Sequence, residues 1–254
     1  MIFGWLRRRR RRKLLAKPFP VGWLSYLDGL PFYGTLSPDE QTRVRGVVRV
    51  LVDEKNWEGC GGLVLTDEIR VTISAQAALL LLGFEHEYYP RVQSILVYPS
   101  TFVVQGRSTG SKDDIRSGRQ ATLGEAWKGG PVVLAWDASR LGGANDEDGR
   151  NIVLHEFAHK LDFRDDVADG TPLLKDGKQY EAWHRIMTAE YERLVKKAES
   201  GRPTLLDKYG ATQPAEFFAV ATECFFEKSR QLKKKHPELY DLLRTYFGQD
   251  PAER

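Results

Sequence analysis

Thiols are scarce in this chain: Cys60 and Cys224 are the two cysteines among 254 residues. Two cysteines make no disulfide framework, and neither sits in a CxxC pair. A reducing compartment fits this usage, so the chain is expected in the cytoplasm. Long apolar runs are also missing. The longest candidate, "ISAQAALLLLGF", falls short of the roughly 18–20 residues that cross a bilayer. There is no internal repeat, and low complexity is confined to one block of arginines near the start.

That block makes the charge balance misleading. The net charge is +3, but Arg7–Arg12 and Lys13 supply seven cations, and without them it is −4. The body is therefore mildly acidic, and the pI gives no ground for specific nucleic-acid binding. Nor does "MIFGWLRRRRRRKLLAKPFP" read as a signal peptide. Such a peptide sets its charge before an apolar stretch of about 7–15 residues, whereas only "LLA" separates these cations from Lys17 and Pro18. Residues 1–17 are expected to be a basic, flexible arm. Weak contact with an anionic membrane, helped by Phe3, Trp5 and Leu6, is one use for it.

What remains, residues 18–254, reads as one globular domain. The composition, 41% hydrophobic and 29% charged with six Trp, is that of a chain with a core. Ser37, Pro38 and Glu40 form a capping-box start for a helix over about 37–56. "TDEIRVTISAQAALLLLGF" predicts a second, mostly buried helix ending at Gly83. "SILVYP", "TFVVQG" and "GPVVLAW" are short β-rich runs, and "RLGGANDEDGR" is a loop. Helices then follow in "NIVLHEFAHKLDF", "YEAWHRIMTAEYERLVKKAES", "PAEFFAVATECFFEKS" and "PELYDLLRTYFG". Strands in the middle and helices at both ends give an α+β class with a small central sheet.

The chemistry concentrates in "NIVLHEFAHKLDF". His155 and His159 stand four apart, on adjacent turns of one helical face, where two imidazoles can grip one zinc ion. Glu156 is about 100° around, beside the metal without ligating it, where a general base takes a proton from water. Val153, Leu154, Phe157, Ala158 and Leu161 fill the other faces. A chance HExxH is expected on the order of 0.01 times in such a chain. Asp162, three residues after His159, is a candidate to orient a ligand imidazole. "FEHEYYP" looks similar for two letters, but no second histidine follows and Pro90 ends any helix, so His86 is structural. His184 and His236 lie on charged segments and are expected to be solvated.

A catalytic zinc needs a third protein ligand. No HxxGxxH follows His159, so a carboxylate on a later helix is expected. "TQPAEFFAVATECFFEKS" offers Glu216, Glu223 and Glu227. A buried carboxylate in so apolar a helix calls for a cation. Glu216 and Glu223 are seven apart and share a face, so periodicity does not choose between them.

Taken together, "HEFAHKLD", "YPSTFVV", "GPVVLAW", "DKYGATQPAEFFAV" and "ECFF" resemble the Mlc titration factor A family of zinc peptidases, in order and from about Pro18 onward. The resemblance implies a glutamate-zincin fold, related in its core to the anthrax lethal factor protease domain. It implies that Glu216 is the third zinc ligand and that Tyr209, in "DKYG", is catalytic. A phenol there would donate to the oxyanion of the tetrahedral intermediate. It implies aminopeptidase-type hydrolysis of peptides, and binding to the repressor Mlc, which tunes sugar-uptake genes. A zinc-stabilised regulatory protein with little turnover is the alternative. Val220, four residues after Glu216, departs from thermolysin-like patterns, which place an acid there.

Overall fold

Ser37 starts the first long helix of the body as its neighbours predict. Its side chain accepts the Glu40 N–H, and the Glu40 carboxylate accepts the Ser37 N–H, closing the capping box. This is seen in a computed structural model that describes residues 2–85, 88–100, 130–145, 147–165 and 167–254. The run "TFVVQG" and the pair His86–Glu87 lie outside the described residues.

Helices α1 (Ile2–Leu15), α2 (Val21–Asp28), α3 (Pro31–Gly34) and α4 (Pro38–Glu54) lead into strand β1 (Asn56–Gly59). Helix α5 (Asp67–Leu79) crosses over to β2 (Ser94–Tyr98), and β3 (Val132–Ala135) completes a sheet of order β1-β2-β3. Then come α6 (Trp136–Ala144), α7 (Ile152–Asp162), α8 (Gly177–Glu199), α9 (Pro214–Glu227), α10 (Ser229–Lys235) and α11 (Pro237–Phe247). The result is mixed and mostly helical, consistent with the α+β class.

Both strand pairings are parallel: Trp57 aligns with Ile95, and Ile95 with Val132. Parallel neighbours need a crossover, which α5 supplies between β1 and β2. Strand β2 lies in the middle, with Ile95 and Val97 fully buried on one face. Its backbone is committed on both sides, so it offers no edge to a peptide. Among the described residues, β3 is the edge beside α7.

Helix α9 is buried almost all round. Phe217, Phe218, Ala219, Val220, Ala221 and Phe225 are at most 1% exposed. Proline at its start costs nothing, because the first turn has spare N–H groups in any case. It packs along α7, and α7 also meets β3, α5 and α6. Trp183 of α8 closes the far side, edge-on to Phe218 and Tyr246 at ring separations of 5.6 and 5.3 Å.

Several local expectations differ from the structure. The basic arm is helical over Ile2–Leu15. Like-charge repulsion along it is offset by tertiary contacts: Arg11 forks onto both oxygens of Glu54 at 2.7 and 2.6 Å and lies 4.3 Å over the Tyr88 ring. Arg10 pairs with Asp53 at 2.9 Å, and Arg49 donates to the Lys17 carbonyl. The expected loop at Arg140–Arg150 starts with the end of α6, because Gly142 and Gly143 let Asn151 and Gln76 press against the helix. Helix α5 stops at Leu79, and turns carry the chain to Gly83. A Cβ there would meet the Phe247 carbonyl at 1.8 Å. His236 is 8% exposed instead of solvated, because Glu190 Oε2 meets its Nδ1 at 2.7 Å; His184 is exposed.

Candidate metal centre

Asn151 sets the start of the helix that carries both histidines. Its side-chain oxygen accepts the N–H groups of Val153 and Leu154 at 3.1 and 3.0 Å, and its amide donates to Gly142 O at 3.1 Å. Five apolar side chains then hold α7 in place: Val153, Leu154, Phe157, Ala158 and Leu161 are none of them more than 2% exposed. On this packed rod, His155 and His159 face the first turn of α9, where Glu216 stands.

The three side chains converge. Glu216 Oε2 lies 3.0 Å from His155 Nε2 and 3.3 Å from His159 Nε2, and the two imidazole nitrogens are 3.2 Å apart. A proton can join one pair of these atoms at a time, whereas a cation at their centre satisfies all three. Tetrahedral zinc at about 2.0–2.1 Å from its ligands sets neighbouring ligand atoms roughly 3.3 Å apart. The observed spacing, and the donor set of two nitrogens and one oxygen, fit such an ion. Gln213 Nε2 donates to the other Glu216 oxygen at 3.1 Å and so leaves Oε2 to the cluster. Burial alone would raise the Glu216 pKa. The contacts with His155 and His159 outweigh it and hold the carboxyl well below its ordinary range.

The choice between Glu216 and Glu223, open from periodicity, resolves into two different places. Glu223 is fully buried behind His155. Its Oε1 meets His155 Nδ1 at 2.7 Å, and its Oε2 accepts the Asn151 N–H at 2.6 Å. A carboxylate on Nδ1 puts the imidazole proton there and leaves the Nε2 lone pair facing the cluster. Glu227, one turn further, reaches neither histidine in the hydrogen-bond network of the described residues. Asp162, expected to orient one of the imidazoles, accepts the Gly170 N–H at 3.0 Å across the turn that follows α7. Val220 is 1% exposed and packs in the core.

Glu156 is half-buried next to His155 in sequence, one helical step around. Lys160 follows it by one turn. Burial lowers the Lys160 pKa, and the Glu156 charge offsets part of that. Tyr209 sits on a 3-10 turn, Lys208–Ala211, whose start is capped by Asp207 Oδ1 at 2.9 Å. Arg150 Nε reaches Asp207 Oδ2 at 3.3 Å and so ties this turn to the entrance of α7. The Tyr209 ring centre is 6.1 Å from that of His155. Burial, the largest cause, pushes the Cys224 thiol up to about 12.

A profile of the glucose-regulated metallo-peptidase M90 family matches residues 5–248. The chain belongs to this family. Three relatives extend the match over nearly the whole length. It is 38% identical over 244 residues to "Uncharacterized protein slr2042" of Synechocystis sp., covering 95% of this chain and 89% of the relative. It is 32% identical over 228 residues to Mlc titration factor A of Serratia proteamaculans, covering 89% and 86%. It is 31% identical over 230 residues to Mlc titration factor A of Klebsiella pneumoniae, covering 89% and 85%. For an M90 chain a bound metal is the natural reading of the His155–His159–Glu216 cluster. Sequence reasoning missed Glu223 as the partner of His155, and Asn151, which joins it. A polar residue before an apolar helix is a cap signal, and the cap here also links the site to α9.

Proposed function

We propose that this M90 protein is a zinc-dependent, aminopeptidase-like peptidase acting in the cytoplasm. The observation that supports this most is the convergence of His155 Nε2, His159 Nε2 and Glu216 Oε2 within 3.0–3.3 Å of one another, beside Glu156 on the same helix. His155, His159 and Glu216 would hold the zinc, which when bound supplies positive charge to polarise a peptide carbonyl and acidify water.

The chain's own groups carry the rest of the reaction. Glu156 takes the proton of the attacking water and returns it to the leaving amine, so its carboxylate must be free of the metal. Tyr209 donates its phenol hydrogen to the developing oxyanion. The edge of β3 gives an extended peptide a partner for its backbone, next to α7, in the manner of a zincin. Glu223 keeps the His155 ring in one orientation and one tautomer.

The relatives' name, Mlc titration factor A, supports a second reading: binding of a Mlc-type repressor, with the metal site serving stability. Glu156→Gln separates the two. Zinc content by mass spectrometry and hydrolysis of a fluorogenic peptide panel are measured on the purified variant. The peptidase reading expects full zinc with turnover lower by about 10² or more. Unchanged turnover would assign the cleavage to another base or a contaminant, and loss of repressor binding would tie that binding to the catalytic carboxylate.

A further inference from the structure

The first helix has a surface that the metal centre does not use. Arg11 turns inward onto Glu54, both side chains being 12% exposed. At about 100° per residue, Trp5, Leu6, Arg9, Arg12 and Lys13 stand roughly 100–160° round from Arg11, on the outer face, with Arg8 nearer the inner margin. All six are exposed. Trp5 is 50% and Leu6 48% exposed, large apolar groups left in water beside cations. Arg9 lies 5.5 Å over the Trp5 ring. No acidic residue occurs in α1 to neutralise the row, and Arg8–Arg12 and Arg9–Lys13 are like-charge pairs one turn apart. Beside them runs a groove of about 440 Å³. It is walled by Arg9, Arg10, Lys13 and Lys17, with Leu6 and Leu14 for apolar contact and Asp53 as its single acid.

We propose that this outer face of α1 docks the protein on an anionic lipid bilayer. The cations match lipid phosphates and carboxylates, and the groove can take a headgroup. Trp5 and Leu6 match the interfacial zone, where a ring with one polar edge and a short apolar side chain leave water. A nucleic-acid backbone would account for the arginines but gives Leu6 and Leu14 nothing to bury against. The remainder of the chain, net −4 without the block at 7–13, is repelled by the same surface, so attachment through α1 also orients the molecule. Attraction of this kind is reversible and weakens with salt.

The test uses the full chain and does not depend on the peptidase reading. Sedimentation is measured with vesicles of phosphatidylcholine alone and with about 30% phosphatidylserine. Binding to the anionic vesicles is expected to weaken at least roughly tenfold when salt rises from about 0.05 to 0.5 M. Arg8→Glu with Arg9→Glu should lose binding to a similar extent, and Trp5→Ala with Leu6→Ala several-fold. Circular dichroism and thermal unfolding check that each variant is folded. Brominated anionic lipid should quench tryptophan emission in the wild type and less in Trp5→Phe. Absence of binding to anionic vesicles at low salt overturns the proposal. So does binding that ignores Trp5→Ala with Leu6→Ala and is matched by duplex DNA, which would make α1 a general polycation.

Discussion

His155 and Glu223 are joined ring to carboxylate at 2.7 Å, in a place where His155 is 3% exposed and Glu223 is fully buried. Because Glu223 also accepts the Asn151 N–H, one side chain ties the His155 ring, the start of α7 and the middle of α9 together. A ligand whose second nitrogen is held this way keeps its orientation and gains basicity.

Two α9 substitutions therefore separate in metal affinity. Glu223→Gln removes the carboxylate behind the ring but not the ligand, and should weaken zinc binding by about 10–100-fold. Glu216→Gln removes a proposed ligand and should weaken it further, as should His155→Ala or His159→Ala. Competition with a chelating dye reads both affinities. If Glu223→Gln loses more metal than Glu216→Gln, the assignment of ligand and support must be exchanged.

Tyr209→Phe should leave zinc content and melting temperature nearly unchanged and lower peptide turnover by about 10–10². The substitution leaves in place the turn in which the Tyr209 N–H donates to Asp207 Oδ1, and the ring near His155. Equal turnover of the variant and the wild-type protein would remove this residue from the chemistry and leave it a packing role.

The legible parts of this chain were those whose signal is local. A capping box, a proline at a first turn and an i, i+4 histidine pair are all read within one turn, and α4, α7 and α9 begin within a residue or so of where the sequence puts them. Glu216 and Glu223 show where local reading stops. Seven residues keep both on one face, but their roles are set by what lies opposite, two imidazoles for one and the back of a single ring for the other.

What the sequence left unread lies where tertiary contact overrides composition. Strand β1 has four residues, "NWEG", with no alternation, and exists because Asn56–Gly59 pairs with β2. The end of α6 reads as a glycine loop because its glycines answer to neighbours in space. Helix α1 reads as a repelling polycation because Glu54, 43 residues away, is invisible from the arm.

Glu227 gives a prediction that pH can test. It ends α9 at 9% exposure, and neither carboxyl oxygen makes a well-formed hydrogen bond among the described residues. Burial, and then the charge of Glu223 with a smaller part from Asp148, pushes its pKa up to about 9, while Asn151 and the Arg150 backbone offset part of the rise. The folded protein thus keeps a proton that the unfolded chain gives up near the ordinary value of 4.5. Stability from this group is fully present below that value and is lost as pH rises toward the folded pKa. Glu227→Gln is neutral in both states and removes that slope. Relative to wild type, the variant should gain at least about 1 kcal/mol between about pH 5 and pH 8, or roughly 2–4 °C in melting temperature. Thermal scans at both pH values, with a chelator present so that metal loss does not enter, decide it. An equal offset between the two proteins at both pH values would mean that Glu227 ionises like an ordinary carboxylate.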